Sequence, residues 1–252
     1  MIKVALLAAG IGNRLDRSGN ASPKALLRFA GESLLKRHLD ILVEFGLVDV
    51  TLVVGHRAEE IERELAAIGA TDLVRTRFNP DYRTSSLLSL WTLREVLAAG
   101  EPVLYMDADV LYDWRLLERL LRSPEDDCIL IDRDIDPDNE WLDVRVREGR
   151  IVAFDKGVTL DDYDVRAEWV GFARFSAGAA ARLAGAIEGY VESGRVDVIY
   201  EAPMRDVILE TPAFGLADAT GLPWIEIDFP ADLRRAQREI LPRLVSLPPA
   251  AD

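Results

Sequence analysis

A glycine-rich segment near the N-terminus, residues 7–15, has the residue types of an anion-binding loop. Gly10 and Gly12 let the backbone come close to a ligand, and successive N–H groups in such a loop form a concave anion site. Arg14 can hold a phosphate through two hydrogen bonds, and Lys24 adds a second cation ten residues later. A phosphate-bearing ligand suits this segment, although a tight turn with a solvated arginine would use the same residues.

Two common phosphate-binding motifs do not fit the segment. Leu15 stands where the third glycine of the dinucleotide-binding pattern would stand. No Gly-Lys-Ser/Thr sequence follows, so the segment is not the phosphate loop of the P-loop NTPases either.

Paired carboxylates form the second chemical feature. Asp107 and Asp109 follow an apolar run, and the alternation of side chains along a strand would place both on the same side. Hard oxygen ligands beside a phosphate site suit Mg²⁺, which fills its remaining positions with water and phosphate. Asp228, which follows another apolar run, is a further candidate. Helix capping or solvated surface carboxylates are the alternatives.

Alternating apolar and helical patterns predict the elements that position these residues. Strands are expected at 3–9, 49–54, 72–78, 102–106 and 127–131, and helices at 34–45, 58–68, from Ser85 or Ser86 to 99, and 114–121. Such alternation favours an α/β fold with a doubly wound, mostly parallel sheet in a three-layer α/β/α arrangement. Ligands bind at the carboxyl ends of the strands in such sheets. Both chemical features fall there.

The second half of the chain is less regular. Expected there are a hairpin with strands at 141–147 and 150–154, a strand at 169–175, a helix at 177–193, a helix starting near Pro203, a strand at 225–228 and a helix at 231–241. One domain over residues 1–252 is the simplest organisation. We expect a nucleotide-binding half at about 1–125, an acceptor-binding half at about 126–242 and a short tail.

Composition narrows the function classes. The 252 residues include 30 Lys and Arg against 44 Asp and Glu, a net charge of −14, which disfavours binding to nucleic acid or anionic membranes. Residues 1–37 nevertheless carry +5, as expected around a local anionic ligand, although so short a window also varies by chance. One cysteine and two histidines exclude a disulfide within the chain and a Cys/His zinc site. Without a recognisable signal peptide or membrane span, a cytoplasmic location is expected.

The order of these motifs carries a family resemblance. Leu-Ala-Ala-Gly-x-Gly-x-Arg-Leu at 7–15, followed by Pro-Lys-Ala-Leu at 23–26, resembles the nucleotidyltransferases that include the sugar-1-phosphate nucleotidylyltransferases. The resemblance implies that Arg14 and Lys24 are catalytic, that Asp109 and Asp228 bind Mg²⁺, and that the nucleotide is held by Leu7, Ala8, Ala9, Gly10, Gly12, Asn13, Arg14, Lys24, Ser85 and Ser86.

Segments of the second half resemble the bacterial phosphocholine and aminoalkylphosphonate cytidylyltransferases. They are Asn139-Glu140-Trp141, Val170 to Phe175, Asp197 to Glu201 and Trp224 to Asp228. An ammonium group is well held by aromatic faces and carboxylates. The candidate faces are Trp141, Tyr200 and Trp169, and the candidate counter-charges are Glu140, Asp143, Glu201 and Glu226. Core aromatics and solvated acids are the alternative.

Two more segments match the family with substitutions. Lys156 stands where a Glu-Lys-Pro lysine contacts the acceptor phosphate, but Asp155 and Gly157 replace its neighbours. Ser85 and Ser86 replace two asparagines, and helix capping is the competing interpretation. We assign Asp107, Trp141, Lys156, Tyr200 and Glu226 to acceptor binding.

The resemblance implies transfer of CMP from CTP to a phosphorylated or phosphonate acceptor such as phosphocholine or 2-aminoethylphosphonate, with release of pyrophosphate. A sugar- or inositol-phosphate nucleotidylyltransferase is the main alternative. A nucleotide-sugar glycosyltransferase would share the fold and the metal, and a nucleotide-binding module without turnover would keep the fold alone.

Overall fold

The computed structural model describes residues 1–15, 22–135 and 141–247, and its centre is a nine-stranded sheet. The strands of the structure are β1 Lys3–Ala8, β2 Arg28–Phe29, β3 Glu32–Ser33, β4 Val50–Val54, β5 Val74–Phe78, β6 Val103–Asp107, β7 Val110–Tyr112, β8 Cys128–Asp132, β9 Asp143–Arg147, β10 Arg150–Asp155, β11 Val165–Phe175, β12 Gly215–Asp218 and β13 Trp224–Glu226. Within the nine-stranded sheet, hydrogen-bonded neighbours run in the order β10-β9-β11-β6-β1-β4-β5, and β8 pairs with both β11 and β12.

Helices connect these strands on both faces of the sheet. They are α1 Leu34–Glu44, α2 Ala58–Ala67, α3 Ser86–Trp91, α4 Arg94–Leu97, α5 Trp114–Leu121, α6 Ala177–Glu192, α7 Glu201–Glu210 and α8 Pro230–Arg235. Short 3₁₀ turns lie at Lys24–Leu26 and Leu241–Arg243, and a π turn lies at Ala236–Ile240. None of the helices in the described ranges combines the length and apolar character needed to cross a bilayer.

Parallel pairing of β6, β1, β4 and β5 confirms the predicted doubly wound fold. The inner strands alternate between two cores, as a sheet covered on both faces requires. In β1, Ala5 belongs to the core under α3, α4, α6 and α7, whereas Val4 and Leu6 belong to the core under α1, α2 and α5. Because β1 and β6 are parallel neighbours, their carboxyl ends lie at the same edge of the sheet.

Most predicted elements of the second half are also present. The hairpin turn lies at Glu148 and Gly149, which have φ of 50° and 75°, the left-handed pair that favours tight hairpins. Helix α7 starts two residues before Pro203, whose missing N–H costs nothing in a first turn. Strand β11 begins earlier than expected, and the pairing of β7 with β13 was not predicted.

Two helix predictions were wrong in their extent. The helix expected up to residue 99 is broken into α3 and α4, where the Thr92 hydroxyl donates to the Ser89 carbonyl oxygen at 2.7 Å. Such local bonds compete with helix formation. The last helix is α-helical only to Arg235 and then widens into the π turn.

Candidate active site

A cavity of about 610 Å³ opens at the carboxyl ends of the parallel strands. Every residue that the sequence analysis assigned to the nucleotide, the metal or the acceptor lines this cavity. The residues come from segments far apart in the chain, from Leu7 to Asp228, so the fold brings them together. Their individual roles stay predictions.

The glycine-rich loop leaves β1 and is fixed to both neighbouring strands. The Ala108 N–H donates to the Leu7 carbonyl oxygen at 3.1 Å, and the His56 N–H donates to the Ala9 carbonyl oxygen at 3.1 Å. Gly12 has a φ of 71°, a conformation that favours glycine. The loop therefore presents its backbone to the cavity from a fixed position.

Lys24 lies between two of the predicted carboxylates. Its Nζ is 2.9 Å from Asp109 Oδ2 and 2.5 Å from Asp228 Oδ1. Burial by itself would lower the pKa of Lys24, but the charges of the two carboxylates outweigh it and raise the pKa above its usual value. Arg14 Nη2 lies 2.6 Å from Asp228 Oδ2. Both predicted phosphate-binding cations thus meet at Asp228.

Three carboxylates form a group that can hold a metal ion. Asp109, Glu226 and Asp228 each offer one oxygen, and the three oxygens lie within 4.8 Å of one another. Strand pairing creates the group, since Glu226 is opposite Val110 and the Ile227 N–H donates to the Asp109 carbonyl oxygen at 3.0 Å.

The chemistry of this carboxylate group fits a hard divalent cation. Lost hydration and the charges of Asp109 and Asp228 raise the pKa of Glu226 well above its usual value. A bound cation would relieve that repulsion, and oxygen ligands are those that Mg²⁺ prefers. Sequence reasoning assigned Glu226 to the acceptor, whereas the structure places it beside the two predicted metal ligands.

Asp107 has different partners from Asp109. Strand β6 ends at Asp107, so the expected alternation does not extend to Asp109 in the following turn. The buried Asp107 carboxylate accepts hydrogen bonds from the Tyr105 and Tyr200 hydroxyls, each at 2.7 Å. Burial and the charge of Asp109 raise the pKa of Asp107 well above its usual value. Asp107 therefore lies outside the three-carboxylate group and is bound to the hydroxyls of Tyr105 and Tyr200.

Gly171 makes room for the Asp107 carboxylate. Its φ is 92°, and a Cβ at this position would lie 2.7 Å from Asp107 Oδ2. The pairing of β11 with β8 shifts register between Trp169 and Ala173, around this glycine. Sequence reasoning quoted Gly171 only as part of the resemblance and did not assign it a role, because a backbone requirement of this kind has no signature in one sequence.

An aromatic wall of the cavity consists of Trp141, Trp169 and Tyr200. The ring of Tyr105 is buried behind it, stacks on Trp169 with centroids 6.1 Å apart and lies 5.5 Å from the ring of Tyr200. Trp141 is already in contact with a cation, because the Arg166 guanidinium lies 5.4 Å from the centre of its ring. Asp143, predicted as a counter-charge for the ligand, binds Arg166 instead at 2.9 Å.

The two serines bind backbone instead of capping a helix with their side chains. Ser85 Oγ donates to the Val196 carbonyl oxygen at 2.5 Å, and Ser86 Oγ accepts from the Tyr200 N–H at 3.0 Å. They therefore fix the segment that carries Tyr200. Ser85 is the N-cap residue of α3, as the capping interpretation expected, but its side chain makes no capping hydrogen bond.

Lys156 is exposed at the cavity wall, in the turn after β10. The turn is held by Asp155, whose Oδ1 accepts from the Lys156 N–H at 2.8 Å and whose Oδ2 accepts from Arg205 at 2.6 Å. Of the two remaining predicted counter-charges, Glu201 lines the cavity and Glu140 lies outside the described residues.

Comparison with known proteins agrees with this geometry. The family model for the MobA-like NTP transferase domain matches residues 4–194. The chain is 29% identical over 257 residues to the CMP-5'-(3-aminopropyl)phosphonate synthase of Streptomyces rubellomurinus, covering 96% of this chain and 39% of that protein. It is 32% identical over 244 residues to the bifunctional IPC transferase and DIPP synthase of Rubrobacter xylanophilus, covering 95% and 52%. The chain thus spans two-fifths to one half of these two relatives.

A solved structure with the same fold is that of the CTP:phosphocholine cytidylyltransferase from Streptococcus pneumoniae. The TM-score is 0.74 at 24% identity, and the match covers 94% of this chain and 97% of that chain. Together with the family match over most of its length, these similarities show that the chain belongs to the MobA-like NTP transferase family of nucleotidyltransferases.

Proposed function

We propose that this protein transfers CMP from CTP to a small phosphate or phosphonate acceptor and releases pyrophosphate. The observation that carries the proposal is a single cavity with two chemically different ends. One end joins Arg14 and Lys24 to the three-carboxylate group, and the other is the wall of aromatic and acidic side chains around Tyr200. Relatives named for CMP and CTP chemistry support cytidine as the base.

The proposed reaction is an in-line displacement. An oxygen of the acceptor phosphate or phosphonate attacks the α-phosphorus of CTP. A new P–O bond forms while the bond to the β-phosphate oxygen breaks, and its electron pair leaves with pyrophosphate. The attacking oxygen is already anionic, so no proton needs to be removed. Positioning and charge neutralisation therefore supply most of the catalysis.

Arg14 and Lys24 would neutralise the triphosphate. Both are bound to Asp228 in the structure, so nucleotide binding would exchange a carboxylate for phosphate oxygens at each cation. Asp109, Glu226 and Asp228 would hold Mg²⁺, which would neutralise charge on the phosphates next to them. The glycine-rich loop would hold the rest of the nucleotide with its backbone.

The acceptor would lie against the other wall. Lys156 would bind its phosphate or phosphonate group, and Tyr200, positioned by Asp107, would contact the remainder. Residues of about 1–125 then supply most of the nucleotide site and residues of about 126–242 most of the acceptor site, except that Glu226 and Asp228 complete the metal site. We also propose that the protein works in the cytoplasm, where CTP is available and the buried thiol of Cys128 stays reduced.

Pyrophosphate release tests the proposal. ATP, CTP, GTP and UTP are each combined with Mg²⁺ and with 2-aminoethylphosphonate, phosphoethanolamine, phosphocholine, inositol phosphate or glucose-1-phosphate. Release that requires both CTP and a phosphate or phosphonate acceptor supports the proposal. Turnover restricted to UTP and a sugar phosphate would replace cytidylyl transfer with uridylyl transfer. CTP binding without turnover of any acceptor would favour a binding module.

A further inference from the structure

The acceptor end of the cavity combines a carboxylate oxygen without a donor among the described residues with aromatic rings that pack against one another or against a guanidinium group. From this combination we propose that the acceptor carries a primary ammonium group, which donates a hydrogen bond to Glu201, and not a trimethylammonium group. The inference rests on the proposed function and names the substrate class of the same site.

Glu201 is the residue that would accept a hydrogen bond from the ammonium group. It is the first residue of α7, directly after Tyr200, and it lines the cavity. Its Oε2 atom is shielded from bulk water, and no group in the described parts of the chain donates a hydrogen bond to it. A buried oxygen without a hydrogen-bond donor carries a free-energy penalty. A ligand that supplies an N–H donor removes this penalty and therefore binds more tightly. A trimethylammonium group has no such donor.

The aromatic side chains at this end of the cavity do not form an open cage for a methylated cation. Recognition of a trimethylammonium group uses open ring faces around the cation. Here Trp169 is 7% exposed and packs against Tyr105 and Phe154. The partly exposed ring of Tyr200 packs against Tyr105 and Trp169, so one side of it is occupied. The guanidinium of Arg166 lies on one face of Trp141, and a cation there weakens the attraction of the ring for a second cation. The wall is therefore better suited to packing beside an alkyl chain than to enclosing a methylated cation.

The charges of Lys156 and Glu201 are complementary to those of a zwitterionic acceptor. Lys156 also lines this end of the cavity, near enough that its positive charge opposes the effect of burial, which raises the pKa of Glu201. A cation for the phosphoryl group and an anion for the amine match a zwitterionic aminoalkyl phosphate or phosphonate. A neutral polyol phosphate would engage Lys156 with its phosphate and offer no positive charge of its own to Glu201.

A matched pair of acceptors tests the inference on the unmodified protein. Phosphoethanolamine and phosphocholine differ only in the three methyl groups, as do 2-aminoethylphosphonate and its N,N,N-trimethyl derivative. In the pair that the protein turns over faster, we expect kcat/KM to be at least about tenfold higher for the primary amine than for its trimethyl counterpart. One charge-assisted hydrogen bond is worth about 1.5–3 kcal/mol. Equal or higher kcat/KM for the trimethyl compound, or for inositol phosphate, overturns the inference.

Glu201→Gln tests the residue itself. The substitution keeps the size of the side chain and removes its charge, so we expect the KM of the primary amine to rise about tenfold and the KM of CTP to stay unchanged. Glu210→Gln, at the exposed other end of the same helix, is the matched control and leaves both KM values unchanged. An unchanged amine KM in Glu201→Gln contradicts the assignment. Absence of CTP turnover with every acceptor instead contradicts the proposed function.

Discussion

The carboxylate of Asp107 and the hydroxyl of Tyr200 are joined by a 2.7 Å hydrogen bond across 93 residues of sequence. The bond connects the end of β6, beside the three-carboxylate group, to the start of α7, beside the aromatic side chains of the cavity. Ser86 holds the same tyrosine through its backbone N–H. Tyr200 is therefore positioned by residues from the nucleotide side of the cavity.

Tyr200→Phe tests this connection. The variant keeps the ring and removes the hydroxyl, so Asp107 loses one of its two donors and the ring loses its anchor. We expect the KM of the acceptor to rise about tenfold, the KM of CTP to change less than about twofold and the fold to persist. Steady-state kinetics with each substrate varied in turn gives the result. Tyr190→Phe, which removes a hydroxyl bound to Asp206 away from the cavity, is the matched control. Equal changes in both KM values would indicate a merely structural role.

Lys24→Ala tests the proposed phosphate-binding cation. If Lys24 neutralises charge in the transition state, kcat falls by about 10²–10³, the range seen when an electrostatic donor is removed. Lys36→Ala is the control, because Lys36 pairs with Glu32 and Asp40 outside the cavity. A loss of less than about fivefold in Lys24→Ala would remove this role. The folded state of the variant is checked by its circular dichroism spectrum.

Removal of divalent ions tests the three-carboxylate group. Chelation is expected to abolish pyrophosphate release, and added Mg²⁺ is expected to restore it. Glu226→Gln should raise the Mg²⁺ concentration needed for half-maximal activity about tenfold, since one of three oxygen ligands loses its charge. Glu239→Gln, at an exposed site, should leave that concentration unchanged. An unchanged Mg²⁺ dependence in Glu226→Gln would place Glu226 outside the metal site.

Because His38 is buried, we expect the free energy of unfolding to depend on pH. The side chain is fully buried against Tyr112 and Phe172, and burial lowers its pKa from 6.5 to about 4. Below pH 6.5 the unfolded chain binds a proton that the folded chain does not, so His38 destabilises the fold as the pH falls from 6.5 towards 4. Between pH 7 and pH 5 the loss is about 2 kcal/mol.

Urea unfolding of the wild type and of His38→Phe at pH 7 and pH 5 measures this contribution. The variant should lose about 2 kcal/mol less than the wild type over that interval. His38→Gln serves as a second variant without the ring. Equal losses in the wild type and both variants would contradict the prediction.

Local patterns were sufficient to predict the parallel strands of the sheet and the position of the glycine-rich loop. The alternation of short apolar runs with amphipathic helices specified β1, β4 and β6, and therefore the edge where Gly10 and Asp109 lie. Asp228 was predicted as a metal ligand through the resemblance, and the structure places it within 4.8 Å of Asp109 and Glu226. These features follow from residues close in sequence or from a long motif.

Features that depend on contacts between distant segments were not predictable. The placement of Glu226 depends on the register of β13 against β7, which is a two-strand pairing of three residues each. The cover of Trp141 by Arg166 depends on the pairing of β11 with β9. Such registers are set by contacts between segments that are distant in the chain, which one sequence does not show, and an error of one residue would move every side chain to the other face.

The identity of the product tests cytidylyl transfer most directly. The protein is incubated with CTP, Mg²⁺ and 2-aminoethylphosphonate or phosphoethanolamine, and mass spectrometry and ³¹P NMR follow the reaction. We expect one CMP-linked acceptor for each pyrophosphate released, with two coupled phosphorus signals in the product. Formation of CMP or CDP without a CMP-linked acceptor, or no consumption of CTP with any phosphate or phosphonate acceptor, would contradict it.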